Sequence, residues 1–166
     1  MWFRRKPKSD PAEVVRGLRQ QAFSVEASQL GLVPTAARAH VWGVLMETAY
    51  PEAVATLVAL ADGTTSMYFS NGGGIIGAGE HASVRAASNA LLSMAEDHLR
   101  AFTAVTTTPV PEVGHVRFYL RTFGGTVGAA ADEDDLGEGR HPLSPLFHAA
   151  HAVIAATREA TPNQES

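Results

Sequence analysis

Residues 53–70 read AVATLVALADGTTSMYFS, and the fold turns on how they are read. Ala53 to Ala61 is apolar at nearly every position, as a strand covered on both faces would be. Asp62-Gly63 is a strong turn signal, because tight hairpin connections need residues that tolerate positive φ. Beyond it, Thr64 to Ser70 is rich in β-forming residues. The two runs are expected to pair as an antiparallel hairpin across Asp62 and Gly63, and the rest of the chain is read around that pair.

Upstream, Val41 to Tyr50 (VWGVLMETAY) is a strand-like run that ends at Pro51. Val41, Val44, Leu45 and Thr48 also fall at helical spacing, so periodicity leaves both strand and helix open. Residues 10–29 open as a helix, with Asp10 as cap, Pro11 at the first helical position and Glu13 completing a box-like arrangement. Val14, Leu18, Ala22 and Val25 trace its apolar face, and Gly31 and Pro34 close the segment. Downstream, Asn71 to Gly79 (NGGGIIGAG) places five glycines in nine residues. A helix is expected from about Glu80 to Phe102, with Val84, Ser88, Leu91, Ala95, Leu99 and Phe102 on one face. After a linker, Thr106 to Pro111, residues 115–123 alternate: Val116, Phe118, Leu120 and Thr122 point one way, His115, Arg117, Tyr119 and Arg121 the other. Gly124-Gly125 marks a turn and Thr126 to Ala131 a further strand. A last helix, about Ser144 to Glu159, is expected to be capped by Ser144, with Pro145 in its first turn, and to pack through Phe147, Ala150 and Ile154.

The expected order is α-β-β-β-α-β-β-α: an α+β fold with a single antiparallel five-stranded sheet packed by helices. A Rossmann-type sheet would need strands and helices to alternate throughout. The organisation read from the sequence is a flexible basic arm at 1–9, one domain at 10–160 and a disordered tail at 161–166. At 166 residues, with 45% apolar side chains, such a domain can bury about two thirds of its surface. The absence of cysteine excludes disulfides, thiolate metal sites and cysteine nucleophiles. No run approaches the length of a membrane span, and the basic start lacks the apolar stretch of a signal peptide. A cytoplasmic protein is expected.

The formal net charge of −4 hides an asymmetry. Arg4, Arg5, Lys6 and Lys8 crowd the first eight residues, leaving 9 basic against 17 acidic side chains in the remainder. A body of that sign repels nucleic acid. The leading MWFRRKPK could touch an anionic surface or serve as a solubilising arm. At the opposite pole, Asp132-Glu133-Asp134-Asp135 with Glu138 could hold a hard cation, but it matches no calcium loop and reads as a solvated acidic loop.

The element order and the 54–70 hairpin resemble the profilin-like class that includes roadblock and longin domains. Roadblock domains place two strands before the central helix, where three are counted here. The resemblance covers about Asp10 to Glu159 and implies helices packed on a five-stranded antiparallel sheet. It also implies a non-catalytic module for dimerisation or scaffolding, with no family site carried onto named residues.

Among local constellations, Asn71, Gly72, Gly73 and Gly74 open toward a helix bearing His81 and Arg85 one turn apart. Free helix-start N–H groups and two nitrogen-rich side chains could bind a small anionic ligand such as a phosphate. The run lacks a Walker ending and a GxGxxG fingerprint, and Glu80 would oppose an anion. The other reading is a glycine-rich connection whose Arg85 pairs with a nearby carboxylate. His148 and His151 share a helix face, with His141 upstream, but no HExxH signature supports zinc, and no metal or cofactor is expected. No GxSxG elbow is present. The reading that follows is a non-enzymatic interaction or scaffolding module that self-associates as a homo-oligomer or binds a protein partner. The alternative is a small-molecule or phosphate-handling enzyme built on residues 71–85.

Overall fold

A computed structural model describes residues 10–161; the basic arm and the tail from 162 lie outside the described residues. Among the described residues the fold is mixed α+β, with one antiparallel sheet and four helices. The strands are β1 (Val41–Ala49), β2 (Val54–Leu60), β3 (Thr65–Phe69), β4 (Gly74–Ile75), β5 (Thr103–Ala104), β6 (His115–Thr122) and β7 (Gly125–Asp132), arranged β4-β3-β2-β1-β6-β7-β5. The sheet therefore has seven strands, not five. The two additional ones are two-residue edge strands, β4 pairing with Met67 and Tyr68 and β5 with Val127 and Gly128. Pairings that short carry no periodicity for a sequence reading to detect.

The expected hairpin forms: β2 and β3 pair antiparallel across the Asp62-Gly63 turn. Gly63 takes φ +97°, and the Asp62 carboxylate accepts from the Thr64 N–H at 2.9 Å. Val41–Ala49 is a strand. All nine of its residues are buried because it lies mid-sheet with both faces covered, which removes the alternation that would have distinguished it.

One face of the sheet carries the larger core. Val44 and Met46 of β1, Leu57 of β2 and Phe118 of β6 meet helices α2 (Ala82–Asp97) and α4 (Ser144–Ala160) there. The other face is covered by α1 (Pro11–Ser24), by a 3₁₀ turn at Ala27–Leu30, and by the strap 105–114, which runs from β5 at the edge to β6 in the middle. Trp42, Leu45, Val58, Tyr68 and Tyr119 form the core on that side with Val15 and Ala22.

Several expected boundaries move. The first helix ends at Ser24, and Gly31 closes the separate 3₁₀ turn in the left-handed region. Asp10 caps through the Ala12 N–H, whereas Glu13 lies on the surface, 4.0 Å from Arg16. The buried stripe of α1 runs through Val15, Leu18 and Ala22, while Val14 is exposed. Helix α2 starts at Ala82 and ends at Asp97; Glu80 belongs to a preceding 3₁₀ turn, Ala78–Glu80. The acidic segment is no loop: Glu133–Gly137 forms the short helix α3, with Asp132 as its cap accepting from the Asp135 N–H. Carboxylates in that first turn meet the positive end of the helix. Leu143, not Ser144, is the N-cap of α4.

Candidate functional site

The residues singled out around the glycine run divide into two places. Asn71 is exposed in the β3–β4 turn, where the Gly72 N–H donates to the Phe69 carbonyl and the Phe69 N–H to the Gly73 carbonyl. Gly72 abuts the start of α1: a Cβ there would come within 2.6 Å of the Pro11 Cβ. Gly74 lies against the Tyr68 backbone as part of β4. His81 is the N-cap residue of α2 but lends no side-chain cap, and its ring is exposed. Arg85 reaches back, its Nη1 donating to the carbonyls of Gly79 (3.0 Å) and Glu80 (2.7 Å). Arg85 and Glu80 line a hollow beside the Asp62–Ser66 hairpin tip, and neither His81 nor Asn71–Gly74 lines it. The glycines and the two basic side chains are not brought to a common point.

The histidines and acids also remain apart. His148 is exposed, while His151 is half-buried with its ring 4.4 Å from that of Phe147. Its Nε2 is buried without a partner among the described residues, and burial, with smaller contributions from His148 and Arg158, pushes its pKa down. The His141 ring meets the Leu143 N–H at 3.0 Å. Among the described residues, no group of three or more His, Asp or Glu could hold a metal ion.

What the structure does assemble lies on the α1 side of the sheet. Register places Arg117, Glu47, Thr56, Tyr68 and Gly74 opposite one another in a row across β6, β1, β2, β3 and β4. Glu47 is completely buried. Arg19 of α1 grips it with Nε at 2.8 Å and Nη2 at 2.7 Å, and the Thr56 hydroxyl donates a third bond at 2.7 Å. The same Nη2 donates to the Thr108 carbonyl at 2.6 Å, tying the strap to the helix, and the guanidinium lies 4.8 Å from the Phe23 ring centre. A buried carboxylate is tolerable only when compensated in this way. Arg121 makes the converse connection from the sheet to the helix end: its guanidinium donates to Ala22 and Val25 carbonyls at 2.7 and 2.8 Å while stacking on Trp42.

Beside this network, α1 and the 3₁₀ turn stop short of closing over β2 and β3. A cleft of about 250 Å³ remains, walled by Leu18 and Val25 from the helical side and by Val58, Leu60, Ser66 and Tyr68 from the sheet. Among the described residues, none of its walls is a charged side chain. Tyr68 is 3% exposed, and its phenol oxygen is buried without a hydrogen-bond partner among the described residues. Burial, reinforced by the Glu47 carboxylate and opposed by Arg19, pushes its pKa up, so the hydroxyl keeps its proton. The walls are mostly apolar, with Gln21, Thr64 and Ser66 as further polar residues, and the buried phenol of Tyr68 is the polar group among them left without a partner. Sequence reasoning missed it because the walls come from segments that only the fold brings together.

Comparison with protein-family models, with curated proteins and with solved structures finds no match to this chain.

Proposed function

We propose that the chain is a non-enzymatic binding module and that the cleft between α1 and the β2–β3 hairpin is where it binds. The observation that carries this reading is a cavity with apolar walls beside a buried, unpaired phenol. Such a cleft holds ligand through surface removed from water, at about 25 cal/mol per Å², and nothing in its walls supplies a nucleophile–base pair. The resemblance to roadblock domains supports the same non-catalytic character, in a cytoplasmic setting. Titration with the neutral dye N-phenyl-1-naphthylamine tests it. The native protein should enhance the dye's fluorescence in a saturable way, and Ser66→Leu, which fills the cleft from the sheet side, should abolish the enhancement while the protein stays folded. Undiminished binding in that variant would remove the cleft from consideration.

Self-association is a second reading, favoured by a different observation. Val110 and Val113 on the strap are 50% and 59% exposed. Tyr50, 40% exposed, follows Ala49, whose carbonyl accepts from the Gly114 N–H, so Tyr50 and Val113 share one end of the sheet. Exposed apolar residues gathered together mark contact surfaces more often than scattered ones do. Sedimentation across micromolar concentrations should show a dimer that Val113→Asp dissociates, and a strict monomer at the highest concentration would contradict it.

A further inference from the structure

We infer that the ligand of the α1 cleft is a neutral, mostly apolar small molecule carrying one hydrogen-bond acceptor, a carbonyl or a hydroxyl oxygen, which accepts a hydrogen bond from the Tyr68 hydroxyl. This rests on the reading of the cleft as a binding site and adds the chemistry of its occupant. Three observations define that chemistry. The cleft's volume of about 250 Å³ lies just below the usual range of ligand sites, which begins near about 300 Å³, so the occupant is a small molecule rather than a peptide segment. Among the described residues, no lysine, arginine, histidine or carboxylate lines it, so an ion entering would lose its hydration without gaining a counter-charge from them. The buried charges beside it are already satisfied, Glu47 by Arg19 and Thr56 and Arg121 by the Ala22 and Val25 carbonyls.

The third observation is the polarity of the vacant hydrogen bond. The Tyr68 phenol is buried and unpartnered, and it keeps its proton, so it has a donor to offer. A buried donor left unpaired costs free energy that an acceptor on a ligand recovers. A site built to hydrogen-bond its ligand therefore discriminates against an analogue of the same shape that lacks the oxygen. Tyr68 is then the residue that sets specificity, and Leu18, Val25, Val58 and Leu60 supply the apolar surface.

Acetophenone and isopropylbenzene are close in shape and size and differ by the carbonyl oxygen, which makes them the probes. Binding of each to the full chain and to Tyr68→Phe is followed by amide chemical shifts of the α1 and β2–β3 segments. Acetophenone should bind with one equivalent per chain and weaken several-fold, up to about tenfold, in Tyr68→Phe, the range of one neutral hydrogen bond. Isopropylbenzene should bind the variant at least as well as the native protein. Equal effects of the substitution on both probes, or none on either, would overturn the inference while leaving an apolar binding cleft in place. Failure of both probes to shift any cleft amide, together with failure of the dye, would overturn the cleft itself. Saturation at one probe per two chains would assign the cleft to a contact between copies and also overturn the inference.

Discussion

Arg19 stands on the buried side of α1, between Val15 and Ala22, and α1 docks through what Arg19 meets there. Removing it leaves Glu47 buried with only the Thr56 hydroxyl donating to it. Breaking a buried pair from one side typically costs about 3–5 kcal/mol, whereas replacing both partners by apolar groups is often close to neutral. Arg19→Met is therefore expected to lower the urea midpoint strongly, and Arg19→Met with Glu47→Met to recover most of the loss. A second residue-scale prediction concerns His151. Its folded-state pKa lies below the ordinary 6.5, chiefly through burial. Between that lowered value and 6.5, the unfolded chain binds a proton that the native ring refuses, so stability falls as pH drops through this window and levels off below it. Glu96 acts lower on the scale. Burial raises its pKa, but hydrogen bonds from the Val41 and His40 N–H groups and from the His40 ring outweigh that and hold it below 4.5. Its stabilisation is thus present above 4.5 and lost as pH falls through the lowered value. Urea unfolding at pH 7.5 and 5.5 should show a loss in the native protein that His151→Leu reduces. None of these partnerships was legible in the sequence, because Arg19 and Glu47 are 28 residues apart and a helical wheel reads a charge between apolar positions as solvent-facing.

At the scale of elements, the hairpin illustrates what a linear pattern conveys. An apolar run before Asp62-Gly63 and a run of β-forming residues after it identified β2 and β3, and the one-sided stripe of Val84, Ser88, Leu91 and Ala95 identified α2; all four are buried. Where both faces are covered, as at β1, the pattern loses its period and strand and helix become indistinguishable. Two-residue strands fall below any pattern. The glycine-rich segment owes its composition to close approach as much as to flexibility. Gly79 packs onto the Gly63 carbonyl at the tip of the hairpin, and a Cβ at residue 79 would overlap that oxygen. The obstacle is backbone, which cannot rotate away. Gly79→Ala should therefore cost about 1–3 kcal/mol, as overpacking does. Amide exchange should accelerate at residues 63–66 and 78–80, with α4 left unchanged. Equal acceleration throughout would mean that this contact does not hold the hairpin tip locally.

Across the whole molecule, the sheet separates two cores of unequal construction. On one side, long helices α2 and α4 pack against each other and on the central strands. On the other, a fourteen-residue helix and a strap cover the sheet, fastened by Arg19 to Glu47 and Thr108 and by Arg121 to the end of the helix. Contiguous elements with fewer buried contacts open at lower free energy than the core they cover. Residues 11–30 and 105–113 are thus expected to exchange their amide protons as one unit, ahead of β1, β6 and α2. Arg121→Leu strips the donors from the Ala22 and Val25 carbonyls and should lower protection across α1 while sparing α2 and α4. A ligand in the cleft touches both α1 and the sheet, so it binds the closed arrangement and raises α1 protection by RT ln(1 + [L]/Kd), about 2.7 kcal/mol at a hundredfold excess over Kd. Acetophenone should therefore slow exchange in α1 more than in α4. If α1 and β1 exchange with a single free energy in both the native protein and Arg121→Leu, the two layers form one cooperative unit and the cleft cannot open by release of the helix.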